Sequence, residues 1–203
     1  MRNTIFILLG APATGKTTIG TRLAKSLKIP YFSKDGVKEP IFDDVGCPVA
    51  METDEPLSGR KMDNAALSIL IYLIEMQLQA GCGCIIDSTF QTRHTPALKS
   101  LQSRYPFMPI QIMCRAEEAE LAKRFKRRAE TGERHAGHLD HLLSDTFDME
   151  QLEQSFQQPL DIGGHLLCVD STDFQEDDYQ KLLLSIKRLT GEERTDKTWA
   201  SLC

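Results

Sequence analysis

The chain has 203 residues, 41% of them hydrophobic and 26% charged, with a net charge of −5 at neutral pH. That length suits one sizeable α/β domain, and the balance of apolar and charged residues excludes a disordered or fibrous chain. The negative charge argues against a dedicated nucleic-acid binder, which gathers its polyanion with a broad positive field, but it leaves room for a local basic site.

The longest apolar runs fall well short of the ~20 residues that span a bilayer. The start lacks the basic and small-residue pattern of a secretory signal, so a soluble cytoplasmic protein is expected. Of the six cysteines, Cys47, Cys82, Cys84, Cys114, Cys168 and Cys203, only Cys82 and Cys84 lie close together. They form a C-x-C pair without the second pair a zinc site needs. Cys84, Cys114 and Cys168 fall in apolar strand-like runs, where a thiol acts as a small hydrophobe in a reducing compartment.

The first apolar run, Thr4–Leu9, enters Gly10-Ala11-Pro12-Ala13-Thr14-Gly15-Lys16-Thr17, followed by Thr18 and an amphipathic helix pattern over Lys16–Leu27. This stretch matches G-x-x-x-x-G-K-[ST] in full, in the strand-loop-helix context that gives the motif meaning. Glycines let backbone N–H groups curl around an anion, and the helix N-terminus adds partial positive charge. Lys16 reaches the outer phosphates, and the Thr17 hydroxyl is placed to ligate Mg²⁺. A nucleoside triphosphate is the expected ligand.

Residues 29–33 read as a second strand, followed by Lys34 and Asp35. In an open parallel sheet, ligands bind beyond the carboxyl ends of the strands, so Asp35 would share a rim with Lys16. There it could accept a proton from an attacking hydroxyl, or simply cap a helix starting near Gly36. Residues 40–60 read as irregular. The most apolar helix is expected over 62–80, with a stripe through Ala66, Ile69, Leu70, Leu73 and Ile74 that packs on the sheet. A third strand over 83–87 ends at Asp87, the apolar-run-then-acid form of a magnesium-holding element; Asp87 could instead orient Lys34, Arg93 or a substrate.

A fourth strand is expected over 109–114, then a helix over 116–130 that turns basic toward its end. Arg124 and Arg128 lie one helical turn apart, with Arg127 able to join Arg124. Gly132 and Gly137 bracket Arg134 and His135, as in a segment that hinges. The run is either a solvated basic face or a set of cations that closes over a transferring phosphoryl group. His135 and His138 lack the further ligand pair of a zinc site. A mixed helix over 139–156, a fifth strand over His165–Asp170 and a helix over 181–189 complete the expected domain. A polar tail over 191–203 carries Trp199. Strands alternating with helices at this spacing predict a parallel sheet covered on both faces.

These residues together resemble the P-loop kinases of the nucleotide-kinase-like group. They are most similar to the AAA-type ATP-binding kinases related to chloramphenicol phosphotransferase, zeta toxins and the polynucleotide 5′-kinase domain. The resemblance spans residues 1 to about 190 and rests on residues 10–17, Ser33-Lys34-Asp35 with Lys38-Glu39, the strand end 85–90, and residues 124–138. Many relatives carry proline where this chain has Ala136.

The resemblance implies a three-layer α/β/α domain with a five-stranded parallel sheet in the order 2-3-1-4-5, and a helical lid at about 131–140. It also implies ATP and Mg²⁺ as cofactors, Asp35 as catalytic base, and Arg134 as the lid arginine. Arg124 and Arg128 become candidates for nucleotide contacts, and residues 169–172 for an adenine contact. The expected reaction moves the γ-phosphate to a hydroxyl of a small molecule. Lys16 and the loop amides hold the phosphates, Thr17 and Asp87 the metal, while Arg128 and Arg134 stabilise the transferred group. Two rivals stand beside it: a polynucleotide 5′-hydroxyl kinase, with Lys34, Lys38, Arg60, Lys61 and Arg93 as its basic track, and a non-catalytic ATP-binding sensor.

Overall fold

The computed structural model describes residues 3–46, 59–131, 135–138, 156 and 158–191. Every residue of β1 (Thr4–Leu9) is buried, and its alternate side chains feed two different cores. Ile5, Ile7 and Leu9 face one cluster, and Phe6 and Leu8 face the other. A strand covered on both faces has no polar side to show, which is why its sequence runs apolar without alternation.

Among the described residues the sheet holds four further strands, β2 (Tyr31–Ser33), β3 (Cys84–Asp87), β4 (Met108–Arg115) and β5 (His165–Asp170). All pairings are parallel, and the order is β2-β3-β1-β4-β5, as the family resemblance implied. Helices α3 (Gly59–Gln79) and α4 (Thr95–Arg104) cover the face of Ile5 and Ile7 through Leu70, Ile74, Leu98 and Leu101. Helices α1 (Lys16–Leu27) and α6 (Glu176–Thr190) cover the other through Ile19, Leu23, Tyr179, Leu182 and Ile186. Each such side chain, taken fully out of water, stabilises the fold by roughly 1.5–3 kcal/mol.

Several local expectations need correction. The region expected to be irregular from Pro40 onward is helical as far as Val45: α2 (Lys34–Val45) runs straight through the proline. A proline in a helix interior costs roughly 3 kcal/mol. Here Lys34, Lys38 and Phe42, spaced four apart on one face, are all buried and offset it. Helix α4 buries only Thr95, Leu98 and Leu101 of its ten residues, too thin a stripe for its bounds to be read from sequence.

The α3 stripe is narrower than expected. Met62, Ala66, Leu70, Ile74 and Leu78 are buried in a single i,i+4 line, whereas Ile69 is 40% exposed. Helix α6 begins five residues before the expected 181, where a reciprocal Gln175–Asp178 capping box starts it. Cys84 and Cys114 are buried, and burial pushes both thiols up to about 12. Cys168 is exposed instead, because β5 is the sheet's edge strand. The helix expected over 139–156 lies outside the described residues except for Phe156, and so does the tail beyond Gly191. No helix among the described residues is long and apolar enough to cross a membrane.

Candidate active site

Sheet register decides which loops meet. Ser33 of β2 pairs with Asp87 of β3, and Asp87 pairs with Leu8 of β1. The three segments that follow, Lys34-Asp35, Ser88-Thr89 and the loop from Gly10, therefore leave the sheet on one rim. They border a cavity of about 640 Å³, within the size range of small-molecule sites.

The loop keeps its shape through backbone conformations that side chains resist. Gly10 (φ +131°), Ala13 (φ +67°) and Gly15 (φ +76°) all have positive φ. A Cβ on Gly10 would lie 2.2 Å from the Cys114 carbonyl oxygen, so only glycine lets the loop sit against β4. Thr14 fastens the turn by donating its hydroxyl to the Ala11 carbonyl at 2.8 Å. Helix α1 starts at Gly15 without a side-chain cap and without an acid in its first turn. Its leading N–H groups and partial positive charge are thus left to face the cavity, as an anion requires. Pro12, Ala13, Gly15, Lys16, Thr17 and Thr18 line the cavity, while Gly10, Ala11 and Thr14 are buried.

Lys16 is 7% exposed. Its ammonium donates to the carbonyls of Gly10 at 2.9 Å and Ala11 at 2.6 Å. Burial pushes its pKa below the usual lysine range, and the charges of Asp87 and Asp35 oppose that shift. A cation held at this electrostatic disadvantage favours anionic company.

Beside it, Asp87 Oδ2 accepts hydrogen bonds from the Thr17 hydroxyl at 2.8 Å and the Tyr31 hydroxyl at 2.7 Å. Burial first, and then the Asp87 charge, raise the Tyr31 pKa, so the phenol stays a donor. The buried Ser88 hydroxyl has no partner among the described residues and lines the same cavity. Among the described residues no three His, Cys, Asp or Glu side chains converge as metal ligands. Hard oxygens at Thr17 and Asp87 fit Mg²⁺, which takes one or two protein ligands and completes its shell with phosphate and water.

Arg124 of α5 (Glu118–Thr131) ties three segments together. Its guanidinium donates to Glu120 at 2.9 Å, to the Ala13 carbonyl at 3.4 Å, and to the Ser171 and Thr172 carbonyls at 2.7 and 3.1 Å. Ser171 returns a bond to the Thr14 carbonyl at 2.9 Å. The turn after β5 therefore braces the phosphate loop. Arg128 also lines the cavity, its guanidinium 5.1 Å from the Phe125 ring centroid. Arg134 and half of the expected lid over 131–140 lie outside the described residues.

At the other end of the cavity α2 is capped by Ser33, whose hydroxyl accepts from the Gly36 amide at 2.9 Å. Asp35 is thus not the cap; its 44% exposed side chain lines the cavity with Lys16. Lys34 and Lys38 share Asp63 of α3, at 3.2 and 2.7 Å. Burial raises the Asp63 pKa, but the two ammonium charges outweigh it and hold the carboxyl below its usual range. A short 3-10 turn (Ala136–His138) packs on α2, with His135 Nε2 3.1 Å from Asp43 and His138 Nε2 3.1 Å from Glu39.

Tyr31 and Asp63 escaped the sequence reading. A tyrosine in a short strand looks like any core residue, and Asp63 is one acid in the first turns of an apolar helix. Lys16, Thr17, Asp35, Asp87, Arg124 and Arg128 all border this one cavity, the first four from the rim of the sheet and the two arginines from α5.

A family model described as AAA domain matches residues 5–149. A candidate kinase from Chloroflexus aurantiacus is 31% identical over 93% of this chain and 98% of its own, with a TM-score of 0.77. A gluconokinase from Sinorhizobium meliloti is 15% identical, covering 94% of this chain and 95% of that one, with a TM-score of 0.57. An APS kinase from Mycobacterium tuberculosis, solved with AMPPNP and APS, is 12% identical, covering 92% and 98%, with a TM-score of 0.56; these two likenesses show the fold alone. No protein of curated function matches the chain. The chain belongs to the AAA domain family and is a P-loop protein of the nucleotide-kinase-like group.

Proposed function

We propose that this protein is an ATP-dependent phosphotransferase that moves the γ-phosphate to a hydroxyl of a small molecule. One observation carries the reading: an exposed carboxylate, Asp35, borders the same cavity as the phosphate loop, Thr17 and Asp87. A phosphate loop alone binds nucleotide. A carboxylate facing it across a cavity gives an acceptor hydroxyl somewhere to leave its proton.

In this reading the loop amides and the α1 N-terminus hold the nucleotide phosphates, with Lys16 turning its ammonium toward the outer ones. Thr17 and Asp87 hold Mg²⁺, which when bound neutralises phosphate charge. Arg124 fixes the loop against the turn after β5 and borders the nucleotide base. Arg128, with Arg134 on a lid of about 131–140, draws negative charge off the transferring group. The domain runs through residue 190, with 191–203 as a separate tail. Free thiols at Cys82, Cys84, Cys114 and Cys168 and the use of ATP suit the cytoplasm.

The buried state of Lys34 and Lys38, 7% and 8% exposed and paired to Asp63, favours a small acceptor over an oligonucleotide. Two of the cations a basic track would need are not on the surface. The test is Mg²⁺-dependent ADP release measured with sugars, sugar acids, nucleosides, amino alcohols, aminoglycosides, chloramphenicol and a 5′-hydroxyl oligonucleotide, beside a no-acceptor control. The reading predicts stimulation by a small hydroxyl compound. Stimulation by the oligonucleotide alone would replace the acceptor class. Nucleotide binding without stimulation by any compound would favour the sensor.

A further inference from the structure

His138 occupies a place the phosphotransfer scheme above leaves unexplained. Its side chain is 2% exposed, yet it borders the cavity that Asp35 borders. Buried ring nitrogens need partners, and two carboxylates from successive turns of α2 face this ring, beside the rings of Phe42 and His135. Glu39 Oε1 lies 3.1 Å from Nε2, and Asp35 Oδ1 lies 3.9 Å from Nδ1. A carboxylate only accepts, so the Nε2 proton points at Glu39 and the ring plane is fixed with Nδ1 toward Asp35.

The turn that carries His138 has little freedom to move the ring. A Cβ on Gly137 would lie 2.4 Å from the Phe42 ring, so only glycine lets the turn approach this closely. The His138 ring meets Phe42 edge-on at 5.3 Å. On the outer side of the same turn, His135 contacts Asp43, a carboxylate that is 70% exposed and remote from the cavity lining. The turn thus carries two histidine–carboxylate contacts. One only docks it; the other faces the reacting end.

We propose that His138 is a positioning residue for phosphoryl transfer: Glu39 orients the imidazole, and the imidazole orients the Asp35 carboxylate toward the acceptor hydroxyl. When both ring nitrogens carry protons, the imidazolium attracts Asp35 Oδ1 across 3.9 Å, which holds one oxygen of Asp35 and leaves the other for the acceptor. The separated segments 33–39 and 135–138 then act as one unit. The proposal rests on Asp35 being the base.

The test compares single-turnover transfer, kcat and KM in five single variants and one double variant, with the acceptor identified above. His138→Ala is expected to lower kcat about 10-fold to 100-fold, the scale of a misplaced reacting group, with both KM values unchanged. His138→Asn, whose amide nitrogen takes the place of Nδ1, should recover part of that loss. Glu39→Gln should lower kcat by less, and it carries the test if His138→Ala fails to fold. Asp43→Asn, which neutralises only the outer carboxylate, should stay within twofold of wild type.

In the Asp35→Asn background, His138→Ala should cause no further loss, because groups acting as one unit are not additive. A full additional loss there, an equal loss in Asp43→Asn, or wild-type kcat in His138→Ala would overturn the proposal while leaving Asp35 in place. Wild-type turnover in Asp35→Asn alone would instead remove Asp35 from the mechanism, and this assignment with it.

Discussion

The two ends of the cavity are held together by different means. At the phosphate-loop end the backbone shapes the cavity: positive-φ residues form the loop, and an uncapped helix N-terminus faces the space. Arg124 and Ser171 brace the loop from behind. At the acceptor end side chains do it, with Asp63 clamping Lys34 to Lys38 and Glu39 holding His138. A backbone cradle suits a ligand part shared by every triphosphate. A side-chain clamp can be rebuilt residue by residue, which is how one P-loop fold takes different acceptors.

The largest effect should come from the nucleotide end. Lys16→Ala removes the one side-chain cation of the loop and should lower transfer roughly 10²–10³-fold, the scale of losing a preorganised charge at the transition state. Weaker nucleotide binding should accompany it. Titration of a fluorescent ATP analogue beside a turnover assay would separate the two losses. Unaltered nucleotide affinity would mean the backbone cradle alone sets binding.

At the acceptor end, Asp63→Asn leaves two nearly buried ammonium groups sharing a neutral amide. Breaking a buried ion pair costs about 3–5 kcal/mol, and the 24% exposure of Asp63 reduces this to roughly 2–3 kcal/mol. The urea midpoint should report the loss, with the denaturant slope unchanged. A change under about 0.5 kcal/mol would mean that the clamp behaves as a surface pair.

The smallest effect tests how far the acceptor-end cations reach. Burial, and then the charges of Arg93 and Lys34, depress the His94 pKa from 6.5 to about 4, and its Nδ1 accepts from the Gln91 amide at 2.9 Å. The unfolded chain binds this proton near pH 6.5 and the folded chain only near pH 4, so protons in that window favour unfolding. Stability should be fully present above pH 6.5 and fall as pH drops toward 4, with no further loss from this group below. Because His94 is only partly buried, solvent screening limits the loss to roughly 1–2 kcal/mol. His94→Gln should flatten the stability profile over that window; an unchanged slope would place the loss elsewhere.

The same contrast explains what the sequence revealed. Gly10 through Thr17 is contiguous, and its spacing is dictated by one ligand group, so loop, strand and helix could be read from eight residues. The sheet order followed from the resemblance, and register then brought Asp35 and Asp87 to the rim where strand ends belong. Asp63 and Glu39 find their partners only through folding: Lys34 and Asp63 are 29 residues apart, Glu39 and His138 99 apart. Neither spacing carries a local pattern. Proline at position 40 hid the second half of α2, because its local cost is visible in sequence while the burial of Lys38 and Phe42 that offsets it is not.

The central claim, that Asp35 makes this P-loop protein a kinase, is tested most directly by acceptor-dependent ADP release in wild type and Asp35→Asn, with nucleotide affinity measured on both. The account predicts a loss of about 100-fold or more in transfer, the scale of removing a general base, with ATP binding unchanged. Equal turnover in the two proteins would contradict it.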